Sequence, residues 1–259
     1  MSDYPPPTFD ITKPHSARVW NYWLGGKDYF EVDREYGDRY FKIYPEIVEI
    51  ARAGRAFLRR AVTHLAGEAG IRQFLDIGTG LPTVENTHEI AQRIAPDARV
   101  VYVDNDPLVL LHARALLVGT SEGATAYIDA DVHDPERILA GAAEILDFSR
   151  PVGLMLIGIM GNVADFDEAY AIVRRLLDEV PAGSYLTLGD GAVLDEAVRA
   201  LSEGPGGHGY YNRSVEEIVR FFDGLELIEP GVVSTHFWRP APGSVPIALD
   251  SFCGVARKL

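Results

Sequence analysis

Cysteine is almost missing from this 259-residue chain; Cys253 is the only one. It can close no internal disulfide, and its apolar neighbours predict a buried thiol that behaves as a small hydrophobe. Lysine is scarce as well, with four residues against twenty arginines. No basic run is longer than Arg59-Arg60 or Arg174-Arg175, and the formal net charge is −14. So acidic a chain repels phosphate backbones, which argues against DNA or RNA as its substrate. Long apolar runs are absent too: the longest, 152–161, is too short to span a bilayer. No basic start followed by an apolar stretch opens the chain, where Pro5-Pro6-Pro7 begins a polar leader instead. There is no internal repeat, and no low-complexity segment beyond that leader. These absences predict a soluble cytoplasmic protein with no membrane partner. With 47 % hydrophobic residues, the chain has material for one elaborated domain.

The most informative stretch is Phe74-Leu75-Asp76-Ile77-Gly78-Thr79-Gly80, read with Val100-Val101-Tyr102-Val103-Asp104. An apolar strand ends in a glycine-rich turn leading to a helical pattern, and the next strand ends in an acid. Glycines there let backbone approach a ligand, and the acid can accept both hydrogen bonds of a ribose diol. The pattern points to an adenosine-containing cofactor. A dinucleotide site would carry a third glycine, but Thr83 follows Gly78 and Gly80 in the series. Pro82 suits the first turn of a helix. Asp76 fits poorly beside a pyrophosphate and well beside the cationic methionine end of S-adenosylmethionine. No Tyr-x-x-x-Lys pair occurs, so a nicotinamide-dependent oxidoreductase is the weaker alternative.

From residue 73 onward, apolar strands alternate with amphipathic helices. Strands are expected near 73–77, 100–104, 124–129, 152–158 and 184–189. Helices are expected near 83–95, 107–118, 135–146, 166–180, 192–202 and 214–222. Such alternation builds an α/β fold, a doubly wound and mostly parallel sheet with helices on both faces. Two last strands, near 224–236 and 247–256, are joined by a proline-rich segment too short for a crossover, so they should run antiparallel. The expectation is a seven-stranded sheet of class I methyltransferase type with its last strand reversed. Residues 1–65, with helical patterns in 16–30 and 45–65 and no Ser/Gly linker after them, read as an N-terminal helical cap. Residues 66–259 form the Rossmann-like core of the same single domain.

Further motifs carry a family resemblance. Ser16-Ala17-Arg18-Val19-Trp20-Asn21-Tyr22-Trp23-Leu24-Gly25-Gly26-Lys27-Asp28 with Asp33-Arg34, the 74–83 loop with its Leu81-Pro82-Thr83, and Val101-Tyr102-Val103-Asp104-Asn105-Asp106-Pro107 form one set. Phe222-Asp223-Gly224-Leu225-Glu226-Leu227 with Glu229-Pro230-Gly231 completes it. The set covers nearly the whole chain and resembles a bacterial S-adenosyl methyltransferase family long catalogued as a domain of unknown function. In one place the chain departs: relatives tend to carry His or aromatic residues after the fourth strand, whereas here the segment is Ile159-Met160-Gly161-Asn162-Val163-Ala164-Asp165.

The resemblance and the chemistry together imply site roles. Gly78, Thr79 and Gly80 should lie against the amino-acid and ribose parts of S-adenosylmethionine, and Asp76 should orient that loop or meet the methionyl ammonium. Asp104 should take the ribose hydroxyls, Asn105 should border the adenine, and Asp131 and Val132 should meet its amine and ring. Gly158 and Ile159 should flank the sulfonium. Arg18 and Tyr22, four apart on one helical face, are candidates to close over the cofactor. Residues 204–211, rich in glycine, are a candidate mobile loop carrying His208, which with His236 is a possible base. His88 reads as a satisfied core histidine. The 129–134 acids and His133 lack the glycine and terminal glutamate of a calcium loop, so no metal is expected. The function implied is a methyltransferase acting on a small-molecule acceptor. A cofactor-binding partner protein without activity is the other alternative.

Overall fold

In the computed structural model the described residues are 10–82, 85–116 and 119–259. The proline leader, Thr83 and Val84 at the start of the helix expected from 83, and the end of the helix expected to reach 118 lie outside them.

The chain begins with three helices: α1 (Ser16–Trp23), α2 (Glu31–Ile43) and α3 (Ile47–Gly67). The first two are tied at one carboxylate. Asp33, fully buried, accepts from the backbone N–H groups of His15 at 2.9 Å and Phe30 at 2.8 Å. Arg18 Nε stands 3.2 Å from the same group. The sequence held no expectation for α2, whose polar run interrupted by Gly37 hides its start signal, the acid at its third position. Gly37 itself lets the two helices close up: a Cβ there would come 2.7 Å from the Tyr22 ring.

The core then alternates β1 (Gln73–Ile77), α4 (Thr87–Ile94), β2 (Arg99–Asp104), α5 (Pro107–Leu116), β3 (Ala124–Asp129), α6 (Pro135–Ala142), β4 (Gly153–Ile157), α7 (Phe166–Glu179), β5 (Tyr185–Gly191), α8 (Glu196–Glu203) and α9 (Val215–Arg220). It closes with β6 (Glu226–Leu227), β7 (Val233–Ser234) and β8 (Ser251–Arg257). The sheet runs β3-β2-β1-β4-β5-β8-β6, with β7 also on β8. Pairs among β1 to β5 are parallel, and β8 is antiparallel to β5, β6 and β7. The doubly wound plan and reversed last strand are therefore as expected. The sheet path carries the seven strands expected, and among the described residues β7 adds a short eighth strand beside β8. The segment at 224–236 turns at Pro230-Gly231, where Gly231 N–H bonds Ile228 O at 2.9 Å, and so splits into β6 and β7.

Apolar side chains fill both faces of the sheet. One face packs Leu75, Val101, Leu154 and Leu186 under α6 and α7, and the other packs Phe74, Val100, Met155 and Val255 under α3 and α4. Cys253 is buried as a free thiol in the second layer. His88 is also buried, its ring 2.9 Å from the Tyr102 hydroxyl, which makes it a satisfied interior group. Among the described residues, no helix is long and apolar enough to cross a membrane.

Candidate functional site

A cavity of about 320 Å³ opens at the C-terminal ends of the parallel strands, where α/β sheets bind ligands. Its core walls are the loops after β1 to β5, and the cap covers it through α1 and α3. The order β3-β2-β1-β4 sets Asp131, Asp104, the Gly78–Gly80 turn and Gly158 side by side.

The turn after β1 is built on glycine conformations. Gly78 and Gly80 have φ of 73° and 66°, a region costly for other residues. Gly78 N–H bonds Val103 O at 2.8 Å and Gly80 N–H bonds Asp104 Oδ2 at 2.8 Å. A Cβ on Gly78 would strike Ile159 at 2.6 Å, whereas at Gly80 it would meet nothing within 4 Å. The turn is thus locked on one side and presents bare backbone on the other.

Three carboxylates mark the floor. Asp104 accepts from Gly80 N–H and, at 3.0 Å, from Asp106 N–H, leaving one lone pair on each oxygen. Burial raises its pKa, and those N–H groups counter it. Asp76 accepts from the Thr87 hydroxyl at 2.6 Å, and burial pushes its pKa up to about 6 against Thr87 and the Arg55 charge. Asp131 is less enclosed. Burial works to raise its pKa, but His133 and Asn105, at 2.6 Å each, hold it below the usual range.

Ten of the twelve residues singled out from sequence line this cavity: Asp76, Gly78, Thr79, Gly80, Asp104, Asn105, Asp131, Val132, Gly158 and Ile159. Arg18 and Tyr22 do not. Arg18 turns into the α1–α2 seam, bonding Lys13 O at 2.9 Å and pairing with Asp33. Tyr22 donates to Asp38 at 2.6 Å and stacks edge-on with Tyr29. Of the candidate bases, His208 lines the cavity and His236 sits outside it, 3.2 Å from Ile247 O. No group of metal-ligating side chains forms among the described residues.

Sequence reasoning missed Arg55, Trp20, Asn21 and Asp190, all cavity residues, whereas Tyr210 belongs to the 204–211 loop whose tyrosines and His208 were candidates to meet a substrate. Arg55 had a signal: it falls on the α3 stripe with Ala51, Leu58 and Val62, where a charge needs a reason. Burial lowers its pKa, and the Asp76 carboxylate raises it back in part. Asp190 ends β5 in a stretch without local pattern and had none.

The family model for S-adenosyl methyltransferases matches residues 2–259. The chain belongs to that family. It is an S-adenosylmethionine-dependent methyltransferase by family, and the nicotinamide alternative falls away. A Streptomyces avermitilis protein of the DUF574 family is 46 % identical, with a TM-score of 0.90 over 96 % of this chain and 99 % of its own. A candidate methyltransferase from Thermobifida fusca is 44 % identical, with a TM-score of 0.88 over 99 % of each chain. No protein of curated function matches the sequence.

Proposed function

We propose that the cavity holds S-adenosylmethionine against the ends of β1 to β4 and methylates a small-molecule acceptor admitted beneath the cap. The observation that carries this reading is the joint placement of Asp104, the bare Gly80 backbone and the Asp76–Arg55 pair in one cavity. The donor set fits the cofactor. Asp104 retains a lone pair on each oxygen for the ribose diol. Asp76 matches the methionyl ammonium, and Arg55 matches the methionyl carboxylate. Asp131 Oδ2 has a free lone pair for the adenine amine, with Val132 against the ring and Asn105 at its border. Gly158, with φ of 70° and open space where a Cβ would stand, leaves room beside the sulfonium, and Ile159 closes that side. When bound, the cofactor supplies an electrophilic methyl group; the chain's task is to position the acceptor and exclude water.

Arg18 and Tyr22 serve this site from a distance by holding α1 on α2, so that the cap proposed for 1–65 is fixed on the core of one domain, 66–259, through α1 to α3. A small acceptor is supported by the enclosed, partly apolar cavity and by the net charge of −14, which disfavours nucleic acid. A cytoplasmic location is supported by the lone unpaired cysteine.

The test is transfer of labelled methyl from S-adenosylmethionine into a fractionated bacterial extract. Label in the small-molecule fraction, absent with Asp104→Ala, is expected. Label confined to nucleic acid or protein would overturn the acceptor class.

A further inference from the structure

Beyond the cofactor loops, the cavity has a second polar centre at the end of β5, beneath the cap. Asp190 is 3 % exposed and lines the cavity. Tyr210 donates its hydroxyl to Asp190 Oδ1, while Oδ2 is buried without a hydrogen-bond partner. An unmatched buried carboxylate oxygen is costly unless something else completes it. His208 stands close by, its Nδ1 also buried and unpartnered, its ring 5.9 Å from that of Tyr210. Gly161 makes this arrangement possible, because a side chain there would drive into the Tyr210 ring. Around these groups the cap contributes apolar and aromatic walls: Trp20, Trp23, Ile50 and Phe57.

We infer that Asp190 is the acceptor-side catalytic residue, and that the acceptor is a neutral ring-bearing molecule presenting one O–H or N–H to Asp190 Oδ2. The inference rests on the reading of the cavity as a joint cofactor and acceptor pocket. The ring sits among the aromatic walls, and the donor heteroatom completes the open carboxylate. In the transfer, the heteroatom lone pair forms the bond to the methyl carbon. The carbon–sulfur bond breaks with its electron pair kept by sulfur, and the heteroatom proton goes to Oδ2. Burial raises the Asp190 pKa, against the Tyr210 hydroxyl and the Arg213 charge, which suits a carboxylate that must accept a proton. His208, its pKa pushed down to about 4 by burial, stays neutral beside them.

The test uses phenol, aniline and toluene as probes, read by saturation-transfer NMR on the full chain with saturating S-adenosylhomocysteine. Phenol and aniline should bind on the order of tenfold to a hundredfold more tightly than toluene, the ratio one hydrogen bond to a carboxylate supports. Asp190→Asn should erase that preference while its S-adenosylhomocysteine affinity stays unchanged. Tyr210→Phe leaves Oδ2 untouched and should keep the preference; its loss there would assign the contact to Tyr210 and overturn the inference. A carbon-13 readout of the unaltered protein needs no variant to fold: the Asp190 carboxyl signal should shift with phenol and not with toluene. S-adenosylhomocysteine binding without any ring preference would sink this inference and leave the cofactor site standing. Absence of S-adenosylhomocysteine binding would sink both.

Discussion

Asp76 and Asp104 both lie buried in the cavity, and each predicts a different behaviour. Asp76 titrates at about 6 in the fold against 3.8 for an ordinary aspartate. A raised value means that its contribution to stability is present below about pH 4 and is lost as pH rises through about 6. Asp76→Asn should therefore melt higher than the parent above about pH 7, and the gap should close below about pH 5. Cofactor binding has the opposite sign, because the methionyl ammonium needs the ionised carboxylate. Parent affinity for S-adenosylmethionine should rise as pH rises through about 6, whereas Asp76→Asn should be weak and flat across that range. Asp104→Ala removes the acceptor of two backbone N–H groups and should cost about 1–3 kcal/mol of stability besides its effect on binding. Asp104 was legible in sequence because it ends a strand beside a glycine turn. Asp190 was not, since the distant Tyr210 and Gly161 define its surroundings.

At the level of elements, α1 and α2 are joined by a buried ion pair. Arg18 and Asp33 are 4 % and 0 % exposed, 3.2 Å apart. Removing one partner strands a buried charge, so Arg18→Ala should destabilise the protein by about 3–5 kcal/mol in thermal or denaturant unfolding. Its affinity for S-adenosylhomocysteine, measured well below the melting transition, should stay within about twofold of the parent. A large loss of affinity with stability intact would return Arg18 to the site. The helical face shared by Arg18 and Tyr22 was expected to close over the cofactor; it turns instead to α2, a partner the sequence did not show. Arg213 holds the loop after β4 by donating to Met160 O at 2.7 Å and to Val163 O. Arg213→Ala should loosen that loop and raise KM for the acceptor more than for the cofactor. The long final strand expected at 224–236 missed its break because Pro230-Gly231 stands amid an otherwise strand-like run.

The whole molecule follows from alternation and charge. Strand-helix periodicity pointed to a mostly parallel sheet with its last strand reversed, and the glycine turn and strand-ending acids made the cofactor loops readable from sequence. The acceptor side depends on how the cap meets β5, which no local pattern encodes. A net charge of −14 predicts no retention on DNA at physiological salt. Ligand that binds only the folded state should raise the melting temperature, by about 2.7 kcal/mol of stability at a hundredfold excess over Kd. The most direct measurement is calorimetric titration of the protein with S-adenosylmethionine and S-adenosylhomocysteine, with NAD alongside and with Asp104→Ala and Arg55→Leu as variants. Saturable binding of both sulfur compounds, lost with Asp104→Ala, weakened about tenfold or more with Arg55→Leu and absent for NAD, is the predicted result. Binding that survives both substitutions unchanged would contradict the placement of the cofactor in this cavity.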